Sequence, residues 1–316
     1  MTDVVLAEVV RSGFVEGRHH GSVVVTGPGG APVWSLGAIE QPMLPRSANK
    51  PLQTLGMLRA GLDLPADLLA VATSSHSGEP PHLDGVRRIL AAAGLAESAL
   101  GTPPGYPLDD VARDEWVRSG RGPAPITMNC SGKHAAMLAT CVRNGWPTDG
   151  YLDPGHPVQR VIRETLEDLA AERSAATAID GCGAPLLAIS LAGLARAFGA
   201  LAAAAPGTDA RRLTDAVRAY PELVSGRRRD EAALMRATPG LLCKIGAEGV
   251  YGAGLADGRG VAVKVSDGAA RARAVVLASV LLRLGLDNPT IRAHAELPLL
   301  GGGRPVGAVR AVLPEA

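Results

Sequence analysis

The stretch PRSANKPLQ (residues 45–53) combines a nucleophile with a candidate base. Ser47 precedes Lys50 by three residues, and Pro51 stands where its fixed φ suits the first turn of a helix. Side chains three residues apart on a helix are neighbours, with Cβ atoms ~5–6 Å apart, so the hydroxyl and the amine could share a proton. This is the arrangement of Ser-Lys nucleophilic catalysis, with Ser47 as nucleophile and Lys50 as base. The alternative is a helix N-cap beside a solvated lysine.

Lysine is rare in this chain, which makes each of its positions informative. Of the 32 basic residues, four are lysine and the others arginine: Lys50, Lys133, Lys244 and Lys264. Arginine cannot be deprotonated in proteins, whereas a buried lysine shifts its pKa readily and can act as a base. We therefore expect some of these lysines to be present as amines rather than as charges.

A second lysine and a hydroxyl-rich turn could complete such a site. LLCKIG places Lys244 on an apolar segment, and Gly246 would allow a ligand to approach the backbone closely. In Ser-x-x-Lys acylating enzymes a strand-borne Lys-x-Gly stands beside the serine. The turn SSHSGEP (74–80) brings hydroxyls and His76 to the end of the apolar run LLAVAT. A serine-rich turn without function is the alternative there, and Lys264 is the rival of Lys244.

Two glycine-rich stretches concentrate reactive side chains. NCSGKHAAM (129–137) and DGCG (180–183) supply two cysteines, a lysine and an acid. A phosphate-binding P-loop is excluded, because that pattern needs glycine and serine or threonine where the chain has Thr127 and His134. The spacing of GVYGAGLADGRG excludes a dinucleotide-binding loop as well. The two stretches therefore need another explanation.

Composition excludes several classes of protein. The chain has 316 residues, 47% hydrophobic and 20% charged, and a mean hydropathy of +0.14, as expected of a globular chain with a large core. A net charge of +1 and 3% aromatic residues provide no basic, stacking-rich surface for nucleic acid. The alanine-rich run 184–205 carries Arg196 and predicts buried helices rather than a membrane span. Asp3 and Glu8 stand where a signal peptide would be basic and then apolar, so we expect a cytoplasmic protein whose four cysteines are thiols or metal ligands.

The pattern of elements predicts an α+β fold. Two β-branched runs separated by turn residues predict an N-terminal hairpin, and apolar residues at helical spacing begin near Ser47. Further helices are predicted at 82–94, 131–144, 156–171, 184–203, 208–219 and 269–286, and strands at 241–255, 260–266 and 306–313. We therefore predict one catalytic unit, 1–316, with an antiparallel sheet built from both termini (1–45 and 240–316) and a mainly helical region (46–239) between them.

Seven stretches, in this order, resemble the rhizobial-type L-asparaginase family, also known as asparaginase II: PRSANKPLQ, SSHSGE, NCSGKHAAMLA, HPVQ, DGCGAP, GRRRDEAALM and KIGAEGVYGAGL. The resemblance covers residues 5–315, nearly the whole chain, and NCSGKHA and DGCG are its specific motifs. It implies a serine β-lactamase/glutaminase-like fold, similar to that of the penicillin-recognising serine hydrolases. That fold is unrelated to the threonine-nucleophile asparaginases.

The resemblance also implies a pair of Ser-Lys partnerships. Ser47 would be the nucleophile and Lys50 its base, while Ser75 would pair with Lys244. Ser77 is the second candidate for the role of Ser75, because the local spacing does not decide between them.

A zinc site is implied by the same resemblance. Cys130, Lys133 and Cys182 match the positions that hold zinc in the family, and Asp180 matches an acid beside the metal. Two thiols, a lysine and a water would complete a tetrahedral shell, and the ion would favour the neutral form of the lysine. The alternative is two core cysteines and a salt-bridged lysine. Because zinc would not replace the serine nucleophile, we expect it to order the substrate pocket.

The implied function is hydrolysis of the side-chain amide of L-asparagine to L-aspartate and ammonia. We expect Arg46, His76 and Asp180 to contact the substrate, and for Arg46 a surface ion pair is the alternative. A glutaminase is the first alternative, since the two substrates differ by one methylene. A β-lactam or peptidoglycan acylase fits less well, because its substrates lie outside the cytoplasm. A zinc- or amino-acid-binding protein without turnover is the non-enzyme alternative. We expect a homodimer that binds neither nucleic acid nor a membrane.

Overall fold

Strands from the two ends of the chain meet in one antiparallel sheet in the computed structural model, which describes residues 3–314. The first strand, β1 (Val4–Arg11), turns at Ser12 and Gly13, both at positive φ (49° and 81°), and pairs with the strand that follows. Its other neighbour is the last strand of the chain, with Val9 opposite Val309. The α+β architecture and the sheet built from both termini are therefore confirmed.

The structure divides into two compact units. The sheet unit comprises the residues up to Ala48, Ile189–Ala203, and the residues from Ala233 onward; the helical unit comprises Asn49–Ala188 and Ala204–Ala232. The chain therefore passes from one unit to the other between Ala48 and Asn49, within the stretch that carries Ser47 and Lys50.

The sheet unit contains the large sheet and three helices among its described residues. Its remaining elements are β2 (Phe14–Thr26), β3 (Pro32–Leu36), β4 (Pro42–Met43), α7 (Leu191–Ala202), β7 (Leu242–Ile245), β8 (Val250–Gly254), β9 (Gly260–Val265), α11 (Ala270–Arg283), α12 (Pro289–Ala295), β10 (Glu296–Gly301) and β11 (Arg304–Ala311). The strand order is β10-β11-β1-β2-β9-β8-β7, and β3 pairs with β2. Every side chain of β7 and β8 is buried, as expected for strands covered on both faces.

The helical unit is built from amphipathic and fully buried helices. Its elements are α1 (Lys50–Arg59), α2 (Ala66–Ala72), α3 (Pro80–Ala92), α4 (Asp110–Arg118), α5 (Ser131–Arg143), α6 (Pro157–Ala170), β5 (Ala176–Ile179), α8 (Asp209–Ala219) and α9 (Pro221–Val224). Two further elements, β6 (Pro185–Ser190) and α10 (Asp230–Ala237), begin in this unit and end in the sheet unit.

One predicted helix is wrong at its start. Residues 185–190 of the predicted helix 184–203 form β6, which pairs with β5, and α7 begins only at Leu191. All six side chains of β6 are buried, so its apolar run has no period that separates a strand from a buried helix. Ser190 then caps α7, because its hydroxyl accepts a hydrogen bond from the Gly193 N–H at 2.8 Å.

Within residues 3–314 there is no helix with both the length and the apolar character that a membrane crossing requires.

Close packing in the sheet unit depends on glycines beneath α7. Phe198 is fully buried and lies over Gly252 and Gly254 of β8, while Gly260 of β9 faces the backbone of Ala195. A Cβ atom at Gly260 would overlap the Ala195 carbonyl oxygen, which belongs to the helix backbone and cannot move aside alone. The helix therefore approaches the sheet more closely than any larger residue permits.

We expect Gly260→Ala to lower the free energy of unfolding by at least about 2 kcal/mol, because the added methyl group must push α7 off the sheet. Urea denaturation followed by circular dichroism measures the change. Gly17→Ala is the matched control, since a Cβ at Gly17 of β2 would meet nothing within 4 Å. Equal midpoints for the two variants would contradict this account of the packing.

Candidate active site

The turn that carries Ser47 is a single 3-10 turn, Arg46–Asn49, in front of α1. Its first residue, Arg46, has a left-handed backbone (φ 52°), an unusual conformation for a residue other than glycine. The Ala48 N–H donates to the Pro45 carbonyl at 3.1 Å and closes the turn. Ser47 itself is partly exposed. The nucleophile predicted from the sequence therefore stands on a tight, constrained turn.

Lys244 lies next to this turn within the sheet unit. It belongs to β7, is fully buried, and its Nζ lies 3.4 Å from the Ile245 carbonyl oxygen. The following Gly246 touches the Pro45–Ala48 turn so closely that a Cβ there would overlap the Pro45 carbonyl oxygen and lie 3.2 Å from the Ala48 nitrogen. The structure thus brings the Lys-x-Gly strand against the Ser47 turn, and glycine is required at the point of contact.

Arg46 forms an ion pair rather than pointing freely to solvent. Its guanidinium lies 3.9 Å from the carboxylate of Glu248, which also has a left-handed backbone (φ 57°). Arg46 and Glu248 thus both have a strained, left-handed backbone, which persists only where the surrounding structure holds it in place. The predicted contact between Arg46 and the substrate carboxylate stays a prediction.

In the helical unit Lys50 is brought to Ser75. Both side chains are buried, and the Lys50 Nζ donates to the Ser75 Oγ at 2.9 Å and to the Ser74 carbonyl at 2.5 Å. The Ser75 N–H donates to the Val224 carbonyl at 3.0 Å and ties the turn to the end of α9. The sequence analysis paired Lys50 with Ser47 and did not anticipate this contact with Ser75.

Packing of α5 against α2 explains why these groups meet. Gly132, near the start of α5, touches the Val71 carbonyl of α2, and a Cβ at that position would overlap it. The SSHSG turn follows α2 directly, so the close approach brings the turn beside the NCSGKH stretch. The glycine of NCSGKH therefore has a packing role that its motif alone does not reveal.

His76 and Ser77 support the same turn. The His76 Nε2 lies 2.8 Å from the Ser131 Oγ, and because that hydroxyl donates to the Ile126 carbonyl, the histidine carries its proton on Nε2. Burial, and then the neighbouring His82, hold the pKa of His76 well below its usual range, so the ring is neutral at pH 7. The Ser77 N–H donates to the Ser225 carbonyl at 2.7 Å. Contact of His76 with substrate stays a prediction.

The cysteines of NCSGK and DGCG lie together, as the resemblance implies. Cys130 and Cys182 are buried, and the Lys133 Nζ lies 3.2 Å from the Cys182 Sγ. The Asp180 carboxylate lies 3.9 Å from the same sulfur. The Lys133 amine and the Cys182 thiol, 49 residues apart in sequence, therefore form one buried cluster with Cys130, which we call the Cys-Lys-Cys cluster.

Electrostatics favour a thiolate in the Cys-Lys-Cys cluster. A hydrogen bond from Cys182 holds the pKa of Cys130 well below its usual range, with Lys50 and Lys133 adding to the effect against the opposing influence of burial. Burial lowers the pKa of Lys133, but the charges of Cys182, Cys130 and Asp180 outweigh it and raise that pKa to about 12. The electrostatics therefore favour negative charge on Cys130 and keep Lys133 as a buried ammonium group.

The donor atoms of the Cys-Lys-Cys cluster fit zinc, although one of the three is a lysine amine, an unusual zinc ligand. No group of three or more His, Cys, Asp or Glu side chains in the described part of the chain is placed to hold a metal ion. The set offered here is two sulfurs and the Lys133 amine, and a thiolate is already favoured at Cys130. Zinc binds thiolates at tetrahedral sites, so the donors suit that metal once Lys133 is neutral.

A tyrosine that no sequence motif indicates lies beside this cluster. The His134 Nδ1 lies 2.6 Å from the Tyr151 hydroxyl, which also accepts the Gly101 N–H at 2.9 Å. Burial lowers the pKa of His134 to about 4, so its ring is neutral, and the tyrosine O–H donates to it. His134 was within a motif that the sequence singled out, whereas the only signal for Tyr151 was its rarity, since the chain has four tyrosines.

Three solved structures are distantly similar to the chain. A β-lactamase from Mycobacterium bovis matches with 14% identity and a TM-score of 0.47, covering 83% of this chain and 94% of its own. The native form of Mglu matches with 14% identity and a TM-score of 0.44, covering 85% of this chain and 65% of its own. EstCE1, described as a hydrolase with promiscuous acyltransferase activity, matches with 11% identity and a TM-score of 0.40, covering 80% and 91%. A comparison with curated proteins finds no match to the chain.

A family model gives a direct assignment. The model for L-asparaginase II matches residues 7–311, which is nearly the whole chain and includes both units. The match extends over all the stretches that carry Ser47, Lys50, Ser75 and the Cys-Lys-Cys cluster. The chain therefore belongs to the L-asparaginase II family and, with that family, to the hydrolases.

Proposed function

We propose that the chain hydrolyses the side-chain amide of L-asparagine to L-aspartate and ammonia. The observation that carries this proposal is the buried Lys50 amine, hydrogen-bonded to the Ser75 hydroxyl at 2.9 Å and located at the start of the helix that follows Ser47. Membership of the L-asparaginase II family supports the choice of substrate.

The proposed reaction proceeds through an acyl-enzyme. Lys50, in its neutral form, accepts the proton of Ser47 as the serine oxygen attacks the amide carbon. The C–N bond then breaks, the leaving nitrogen takes up a proton and departs as ammonia, and an ester remains on Ser47. Water attacks this ester, and the serine hydroxyl is restored as aspartate leaves. The Ser47 N–H is the proposed donor to the oxyanion.

The contacts of Lys50 support its role as a base. A neutral amine has two N–H bonds and one lone pair, and the Ser74 carbonyl and the Ser75 hydroxyl can occupy both donors. We propose that Ser75 orients this amine and that, together with Lys244, it passes the proton to the leaving nitrogen.

An ammonia-release assay with L-asparagine and L-glutamine tests the proposal. We expect turnover of asparagine with a kcat/KM at least about tenfold above that of glutamine, because one extra methylene in a fitted pocket costs ~1–3 kcal/mol. A preference for glutamine would assign the alternative glutaminase activity. Stoichiometric asparagine binding without ammonia release would instead identify an amino-acid-binding protein.

We propose that the Cys-Lys-Cys cluster holds zinc through Cys130, Lys133 and Cys182, with Asp180 beside it. A zinc ion bound there would neutralise the negative charge of the thiolates. Lys133 of the cluster lies on α5, and α5 packs on the end of α2, next to the turn that carries Ser75. Its proposed contribution is to order this region for substrate binding.

Protein purified without added metal is expected to contain about one equivalent of zinc, and Cys130→Ala or Cys182→Ala should lose at least about nine tenths of it, because each removes a thiolate ligand. Chelation should raise KM more than it lowers kcat. Elemental analysis and ammonia-release kinetics measure both effects.

Cys141→Ala is the control for the zinc experiment. Cys141 is also buried and lies on the same helix, α5, but burial raises the pKa of its thiol to about 11, which disfavours metal binding. Loss of zinc from this variant, or less than about a tenth of an equivalent in the parent protein, would remove the support for the site.

A further inference from the structure

A polar cavity of about 260 Å³ opens on the sheet unit, and the proposed catalytic groups are not among its lining residues. Its polar lining is provided by Asp3, Ser22, Gln41, Lys264 and Ser266. Met43 and Leu191 add an apolar wall. The volume falls below the ~300–1,000 Å³ of pockets for drug-sized ligands, so the cavity suits a smaller molecule.

The sheet register places the cationic and hydroxyl groups of the cavity side by side. Ser22 of β2 is directly opposite Lys264 of β9, so the two side chains emerge on the same face. The Ser22 Oγ donates to the Asp3 carboxylate at 3.0 Å and accepts the Ala38 N–H at 2.8 Å. Ser266 donates to the second carboxylate oxygen of Asp3. The Asp3 carboxylate is thus held in one orientation by two hydroxyls.

Lys264 provides the opposite charge. Its Nζ donates to the Glu248 carbonyl, which leaves two further N–H groups of the ammonium for a ligand. The side chain is partly buried, and this burial lowers its pKa. Lys264 is one of only four lysines in a chain that otherwise uses arginine, and its ammonium group is a compact point charge.

We propose that this cavity binds a small zwitterionic amino acid, with its α-carboxylate on Lys264 and its α-ammonium on Asp3. A ligand with both charges matches the two fixed charges of the lining, whereas a simple anion would leave the Asp3 carboxylate facing a like charge. Gln41 and the apolar wall then face the ligand side chain.

The cavity is connected to the Ser47 turn by two routes within the sheet unit. Gln41 and Met43, which line it, lead along the chain to Pro45 and Ser47. Lys264 holds the backbone of Glu248, whose side chain is paired with Arg46 at 3.9 Å. An occupant that draws Lys264 into the cavity would therefore act on Arg46, the residue next to the proposed nucleophile.

Met43 supplies a local probe for binding, because it is the methionine that lines the cavity. In full-length protein labelled with ¹³C at its methionine methyl groups, glycine should shift the Met43 signal saturably, with a Kd of about 1 mM. Met128, which packs against Cys130 and Cys182, reports the region of the Cys-Lys-Cys cluster in the same spectrum. Met43→Leu assigns the signal. Because the experiment measures binding and not turnover, its result does not depend on whether the proposed asparaginase activity is correct.

Both charges are required if the ligand is a zwitterion. Lys264→Gln and Asp3→Asn should each raise the Kd for glycine at least about tenfold. Arg310→Gln, an equal loss of charge at an exposed site of the same sheet, should leave it unchanged. Acetate and methylammonium, which each carry half of the ligand, should produce no saturable shift at the same concentrations.

Three results would overturn the proposal. The first is a Met43 signal that neither glycine nor L-aspartate moves at about 10 mM. The second is saturation by acetate alone with an affinity equal to that for glycine, which would identify a plain anion site. The third is an unchanged glycine affinity in both Lys264→Gln and Asp3→Asn.

Discussion

Lys50→Arg is expected to keep the fold and to lower kcat/KM for asparagine by about a thousandfold. Arginine retains the positive charge and hydrogen-bond donors but cannot be deprotonated, so it cannot take the proton of Ser47. Loss of a general base costs ~10²–10⁴ in rate. The effect is therefore a direct measure of whether Lys50 acts as an amine or only as a charge. Ammonia release measures turnover, and circular dichroism with thermal unfolding measures the fold.

Two further variants serve as controls for this result. Arg59→Lys makes the reverse exchange on the same helix at an exposed position paired with Asp168, and it should leave turnover unchanged. Lys50→Met keeps an unbranched side chain of similar length without the amine, and it should be as inactive as Lys50→Arg even if the larger guanidinium disturbs the buried site. Retention of turnover within about tenfold, a ~1.4 kcal/mol change in the barrier, would rule out Lys50 as the base.

Ser47→Ala should abolish turnover and the covalent intermediate, whereas Ser75→Ala should slow the reaction and leave the intermediate on Ser47. Removing the nucleophile of a covalent mechanism lowers the rate by several orders of magnitude. Loss of the Ser75 hydroxyl removes one hydrogen bond that orients Lys50. We therefore expect the reaction rate to fall by about 10–100-fold. Acid-quenched intact mass spectrometry and peptide mapping locate the adduct.

The contact between Lys50 and Ser75 makes this experiment decisive between the two serines. An adduct that persists on Ser47→Ala protein and maps to Ser75 would assign Ser75 as the nucleophile, with Lys50 as its direct base. Ser35→Ala, an exposed serine of β3, controls for the general effect of removing a hydroxyl and should leave both turnover and adduct unchanged.

The architecture was largely predictable, because its signals are local. The β-branched runs at both ends of the chain predict strands, and the helices 82–94, 131–144 and 208–219 correspond closely to α3, α5 and α8. These predictions depend on the period of apolar residues and on turn residues, which a short window contains. The strand at 185–190 was missed because an element buried on all sides has no such period.

The stretches that hold the candidate site were also identifiable from sequence. The rarity of lysine drew attention to Lys50, Lys133 and Lys244, and the structure buries all three almost completely. Burial of a lysine is costly unless it has partners, so a chain that otherwise uses arginine retains lysine where the packing provides them. Residue type and motif were therefore sufficient to nominate the reactive groups.

The partners of these groups were decided only by the tertiary structure. Lys50 contacts Ser75, 25 residues away. Gly132 lets α5 pack directly on the end of α2, next to the turn that carries Ser75. Lys133 reaches Cys182, 49 residues away, through packing that no local pattern encodes. The sequence determines local conformation through short-range sterics and periodicity, but which side chains meet depends on the distances between packed elements. Those distances follow from backbone contacts made far apart in the chain.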